Sequence, residues 1–173
     1  MRRTLLLVPV LGSLLGCSSP FGVDHARGPL LQTSDLEYQL KATPVGVEVK
    51  IPYTFSNRTG SRVYLVNCRG DVRPSLERKD GDQWVHAWGS IKSLCLSPPV
   101  VIGPGAKYRD TLRVFAGTYG DKLHPQFQTE QVEGVYRLRW DQALSSFDPD
   151  RHPFGEELPL EFRVSNEFVL KGP

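Results

Sequence analysis

No stretch of useful length in this sequence carries apolar residues at helical spacing, which argues against a helix bundle or an alternating α/β fold. Long apolar runs are missing too. The longest, from Leu5 to Leu15, falls well short of the roughly 20 residues that a membrane-spanning helix needs, and Pro9 and Gly12 weaken it further. Methionine occurs once, as the initiator, and cysteine three times in 173 residues. Catalytic signatures are absent as well: there is no Gly-x-Ser-x-Gly elbow, no His-Glu-x-x-His, no phosphate-cradling loop and no dinucleotide fingerprint. The chain is therefore expected not to be an enzyme and to need no cofactor.

What is present begins with an export signal. Arg2 and Arg3 precede the apolar run, and the run stops at Gly16-Cys17, followed by the small polar Ser18-Ser19. Leu14-Leu15-Gly16-Cys17 resembles the lipobox of bacterial lipoprotein precursors. The resemblance implies cleavage before Cys17, a diacylglycerol on its thiol and a further fatty chain such as palmitate on its freed amine. Three chains, at about 0.8 kcal/mol per buried methylene, make an effectively permanent anchor. An Asp after the acylated cysteine would favour inner-membrane retention; Ser18 stands there instead, which implies the outer membrane of a two-membrane bacterium, facing the periplasm or the exterior. The expected organisation is a signal peptide over residues 1–16, a lipidated tether over 17–34, rich in Gly, Pro and Ser, and one domain over 35–173.

Loss of the signal takes Arg2 and Arg3, so the 21 basic residues fall to 19, equal to the 19 acidic ones. No net field remains to attract nucleic acid or anionic lipid, and no nucleic-acid partner is expected. Cys68 and Cys95 remain beside the acylated Cys17. In an oxidising compartment they are expected to pair, closing a loop worth about 3.5 kcal/mol. Two separate buried thiols, or half of a metal site, are the rival readings. A zinc pair needs two further ligands at close spacing, none of the four histidines lies in such a cluster, and no metal is expected.

The 16 glycines and 14 prolines suit turn-rich β structure. From Val45 to Phe55 every odd position is apolar, the clearest strand pattern in the chain, with Pro52 calling for an edge position or a bulge. Asn57 to Thr59 matches a glycosylation sequon and reads as a polar turn. Ser75–Lys79 and Asp82–Trp88 flank an Asp80-Gly81 turn. Trp84, His86 and Trp88 at alternate positions read as a hydrophobic inner face with a satisfied histidine rather than as a ligand platform. Pro104-Gly105 marks another turn. Tyr136, Leu138 and Trp140 point inward with Arg137 and Arg139 outward, and Leu158, Leu160, Phe162 and Val164 alternate as a further strand. The expected fold is all-β: an antiparallel β-sandwich of about seven to nine strands.

The early alternating strand, the Pro104-Gly105 turn, the Gly134-x-Tyr136-x-Leu138 strand and the final alternating segment resemble immunoglobulin-like domains. They are most similar to those of bacterial envelope proteins, including the family named for an intracellular proteinase inhibitor. The resemblance implies a tyrosine corner at Tyr136, its hydroxyl bonding nearby backbone. Leu138 stands where antibody domains have their second cysteine, so a Cys68–Cys95 bridge would be a different staple.

Asp148, Asp150 and His152 could ligate a cation or work as an acid/base pair, but in a proline-containing loop they read as solvated turn formers. The expected function is that of a monomeric, membrane-anchored envelope lipoprotein with a non-catalytic binding or structural domain. Its loops at 116–133 and 141–157, or the face around Arg137 and Arg139, would meet a protein or other envelope partner. Proteinase inhibition is the alternative that the family likeness brings, and an enzyme built on the Asp148/Asp150/His152 loop is the second.

Overall fold

A computed structural model describes residues 28–91, 95–151 and 154–172. Cys17, the segment read as a signal peptide and His152 lie outside the described residues. Among the described residues the chain is all-β, with one short helical turn.

The strands form three sheets that share one apolar core. In the first, β4 (Gly46–Ser56) runs antiparallel to β9 (Lys107–Ala116) along its length, and β1 (Leu31–Thr33) and β3 (Lys41–Thr43) share its other edge. In the second the order is β2 (Glu37–Gln39), β12 (Phe168–Lys171), β10 (Gly134–Arg139), β6 (Ser75–Asp80), β7 (Gln83–Trp88), antiparallel except where β12 meets β2. The third sets β5 (Val63–Asn67) between β11 (Ala143–Leu144) and β8 (Ser97–Ile102).

The alternation in β4 buries Val47, Val49, Ile51, Tyr53 and Phe55, while Val45, ahead of the strand, is exposed. Strand β4 is interior to its sheet, so Pro52 needs a local excuse. The Pro52 carbonyl accepts from Ser34 N–H at 3.0 Å, so its missing N–H lies on the same side, toward Ser34 just past the end of β1 and away from the β9 ladder. Because β1 lies ahead of residue 35, and Leu30 and Leu31 are fully buried, the sheet takes in the end of the stretch read as tether.

Trp140 closes the core on one side. Its ring stands edge-on to Tyr53 and Phe55 at 5.7 and 5.4 Å, and its indole N–H donates to the Val72 carbonyl at 2.7 Å. A second apolar cluster, of Val66, Cys68 and Leu144 with Tyr64, Cys95, Phe147 and Phe154 against it, packs around the Cys68–Cys95 disulfide.

Three local readings of the sequence need correction. The segment expected as a strand at 158–164 is instead a helical turn, α1 (Leu160–Arg163), with Pro159 at its N-cap. Leu158 and Phe162 are buried while Leu160 is exposed: residues four apart share a face in both periods, so the pair could not tell one from the other. The first hairpin turns one residue later than read, on Gly81-Asp82, since Asp80 pairs with Gln83 and Gly81 alone takes positive φ. A bulge in β7 also breaks the Trp84/His86/Trp88 face: Leu76 opposes Trp88 but Glu77 opposes His86, which leaves Ala87 as the extra residue. Trp88 is buried, whereas Trp84 and His86 lie on the outer face and His86 is exposed. The Gly103–Ala106 turn follows expectation, with Pro104 at its second position and Gly105 at φ +75° at its third.

Candidate functional site

Of the loop residues expected to carry or mimic chemistry, Asp148 and Asp150 are joined in a turn, and His152 lies outside the described residues. Asp148 accepts the Asp150 N–H on its carboxylate at 3.0 Å, an Asx turn. Among the described residues no group of three or more His, Cys, Asp or Glu side chains could hold a metal ion. The 141–157 loop is held down: β11 joins β5, Phe147 stacks between Tyr64 and Phe154, and buried Arg163 braces both ends. That guanidinium donates to the carbonyls of Leu158 and Asp141 at 2.8 and 3.0 Å and pairs with Glu157 at 2.7 Å. The 116–133 loop buries Phe127 and is tied to β7 by the Gln128 N–H on the Ala87 carbonyl. Beside it lies a recess of about 380 Å³ rimmed by Glu130, Glu133 and Thr118 over Leu40 and Val47. Asn57 is buried, and its amide donates to the carbonyls of Ser61 and Ile102, both at 2.8 Å, while its oxygen accepts from Thr59. That side chain holds a turn together and is not open to glycosylation.

The outer face of the second sheet carries the first polar constellation. Arg137 and Arg139 do point away from the core, but they converge on Glu77, which is only 3% exposed. Arg137 donates to one carboxylate oxygen at 2.7 and 2.6 Å and Arg139 to the other at 2.6 Å. Trp84 covers the Arg137 guanidinium at 4.3 Å. Glu77 was not singled out in the sequence; its only signal there is a carboxylate inside a strand that elsewhere supplies core residues.

A second constellation sits where the core meets the Asp71–Arg73 loop. Burial works against an ionised Asp71, but the Arg73 guanidinium, bidentate at 2.9 and 2.8 Å, and the Arg73 backbone N–H outweigh it and hold the carboxyl down at about 2. Burial, reinforced by the Asp110 charge, pushes the Tyr108 hydroxyl up to about 12. The Tyr53 hydroxyl is raised further, by burial first and then by Tyr108 and Asp110, and makes no hydrogen bond of normal geometry among the described residues. None of these groups is an activated nucleophile or base near neutral pH. Their directions stabilise neutral phenols and a fixed ion pair.

The outer face of the β3–β4–β9 sheet is different in kind. Lys41, Lys50, Lys107, Arg109 and Arg113 lie on it with Glu48 as the single carboxylate, and Lys50 stands directly opposite Arg113. None of the five cations has an ion pair among the described residues. A recess of about 150 Å³ opens between Gln39, Lys41, Glu48 and Lys50.

Neither the family models nor the curated proteins contain a match to this chain. Among solved structures, the chain is similar to the Pseudomonas fluorescens alkylpurine DNA glycosylase AlkC bound to DNA containing an abasic site analog. That match is 11% identical with a TM-score of 0.30, over 88% of this chain and 32% of that one. A likeness that low carries no argument about fold or activity.

Proposed function

We propose that the chain is a lipid-anchored protein of a bacterial envelope, held to the membrane through Cys17, whose single domain binds or braces an envelope partner and catalyses nothing. One observation carries the reading: Cys68 is bonded to Cys95, so of three cysteines only Cys17 is left over, and it follows directly on Leu14-Leu15-Gly16. A disulfide belongs to an oxidising compartment.

Within this proposal the domain is an immunoglobulin-like sandwich. The run β12-β10-β6-β7 has the order of the G, F, C and C′ strands of variable-type domains, and β1-β4-β9 that of A, B and E. Tyr136 is fully buried and its hydroxyl donates to the Val132 carbonyl at 2.6 Å, the geometry of a tyrosine corner. The departures are the third sheet and the disulfide, which ties together segments other than B and F.

The test is growth with labelled palmitate followed by intact-mass measurement of the membrane-extracted protein. Loss of residues 1–16 with a lipid adduct on Cys17, abolished in Cys17→Ala, is the expected result. A lipid-free mature N-terminus would overturn the proposal.

A further inference from the structure

We infer that the outer face of the β3–β4–β9 sheet is a docking surface for an anionic lipid bilayer, so that the domain lies against the membrane rather than standing off it. The inference builds on the lipid-anchor reading above. The charge pattern and the exposed Phe115 are independent of that reading; the reach of the chain from Cys17 is not.

Apart from Lys41, which stands directly opposite Glu48, the cations on this face have no opposite charge across the ladder to favour folding. Lys50 and Arg113 oppose each other across the ladder, an arrangement that destabilises a sheet, and no carboxylate among the described residues pairs with either. The second sheet shows the contrast: Arg137 and Arg139 share Glu77, Lys79 reaches Glu167 at 3.2 Å, and Lys171 reaches Glu37 at 2.6 Å. With 19 acidic residues in the chain, matching carboxylates were not scarce; they lie elsewhere. Strand periodicity fixes the layout. Lys107, Arg109 and Arg113 share one face of β9, so the cations spread over about 20 Å of an open sheet rather than clustering around a point. A plane of negative headgroups matches that spread, and a single bound anion does not.

Two further features favour a bilayer over an acidic protein. Phe115, on the same face beside Arg113 and opposite Glu48, is 45% exposed, an apolar side chain positioned to enter an interface whose charges hold the domain there. The chain also reaches the domain on this sheet: the Leu30 carbonyl accepts from Ser56 N–H, and Leu31 pairs with Phe55, one strand away from Tyr108 and Lys107. The dozen residues between Cys17 and Leu30 span at most about 45 Å, so the anchor keeps the basic face within reach of its own membrane.

The experiment uses the chain from residue 17 with Cys17→Ser, which carries no lipid, in co-sedimentation with vesicles of phosphatidylcholine alone or mixed with phosphatidylglycerol. Binding is expected only with phosphatidylglycerol and should fade as salt rises. At about fivefold per cation near an anionic surface, the combined Lys50→Ser, Arg109→Ser and Arg113→Ser variant should bind about a hundredfold more weakly. Its melting temperature should be unchanged or higher. Combined Arg78→Ser, Lys79→Ser and Lys171→Ser substitutions on the other sheet should leave partitioning as it was. Equal binding to both vesicle types, no binding to either, an undiminished triple variant, or retention of a soluble acidic protein in place of vesicles would each overturn the inference. Since no acyl chain is present, this result and the palmitate result can fail separately.

Discussion

Replacing Glu77 by alanine should be among the most damaging single changes to this domain, although the residue lies on an outer sheet face. Its carboxylate is 3% exposed and accepts three charge-assisted bonds of 2.6–2.7 Å from two guanidiniums. Without it Arg137, 15% exposed and roofed by Trp84, keeps its charge in a poorly solvated place with no counterion, while Arg139, 37% exposed, can turn toward Asp141 at 3.5 Å. Breaking a buried pair costs about 3–5 kcal/mol, and the relative freedom of Arg139 puts the expectation near the lower end, about 3 kcal/mol. For a domain of this size that lowers the melting temperature by about 10 °C. Denaturant titration followed by tryptophan fluorescence reads both stability and the environment of Trp84. The mechanism makes a sharper demand: Arg137→Ala in the Glu77→Ala background should cost much less than Arg137→Ala alone. A Glu77→Ala cost below about 1 kcal/mol, or additive single and double variants, would refute the reasoning.

Three further expectations are open to direct measurement. Serine at both Cys68 and Cys95 should lower stability by about 3.5 kcal/mol, read by denaturant titration, and thiol labelling of the unfolded, unreduced Cys17→Ser chain should find no free sulfhydryl. Because the Asp71 carboxyl is depressed from 3.8 to about 2, its pair with Arg73 stabilises fully above pH 4 and is lost as pH falls from 4 toward 2; Asp71→Asn should flatten that part of the stability profile by about 1 kcal/mol, discounted for the solvent on Arg73. Gly46→Ala should destabilise markedly in a thermal melt, since Gly46 sits at φ +151° and a Cβ there would collide with the Ala116 carbonyl.

Periodicity exposed the elements whose two faces see different solvents. The odd positions of β4, together with Tyr136 and Leu138 in β10 and Trp140 just beyond it, are buried as their alternation implies, because a half-buried strand writes its orientation into every second residue. It misled where one extra residue or a coincidence of periods intervened. Ala87, as a bulge, moves Trp84 and His86 to the outside while leaving Trp88 within, and no composition signal in Gln83–Trp88 announces it. Leu158 and Phe162 satisfy a strand and a helical turn equally, and Pro159, which suits the start of a turn, was the available cue. The pairing of Cys68 with Cys95 was legible from parity, on the expectation of an exported chain, rather than from spacing.

The polar constellations were illegible for a different reason. Glu77 and Arg137 are 60 positions apart, and Lys50 meets Arg113 only through the β4–β9 register, so linear charge counting averages over them. The even balance of 19 basic and 19 acidic residues led to an expectation of no net field, which holds for the whole chain seen from afar. Within a Debye length of about 8 Å the relevant quantity is the charge on one face, and there five cations stand against one carboxylate. The same total can therefore describe a sheet whose arginines are locked into the fold and another whose lysines and arginines are left for something outside it. The register of β4 against β9 separates the two, because a direct Lys50–Arg113 opposition costs stability in the free domain and is relieved when negative charge arrives from solution.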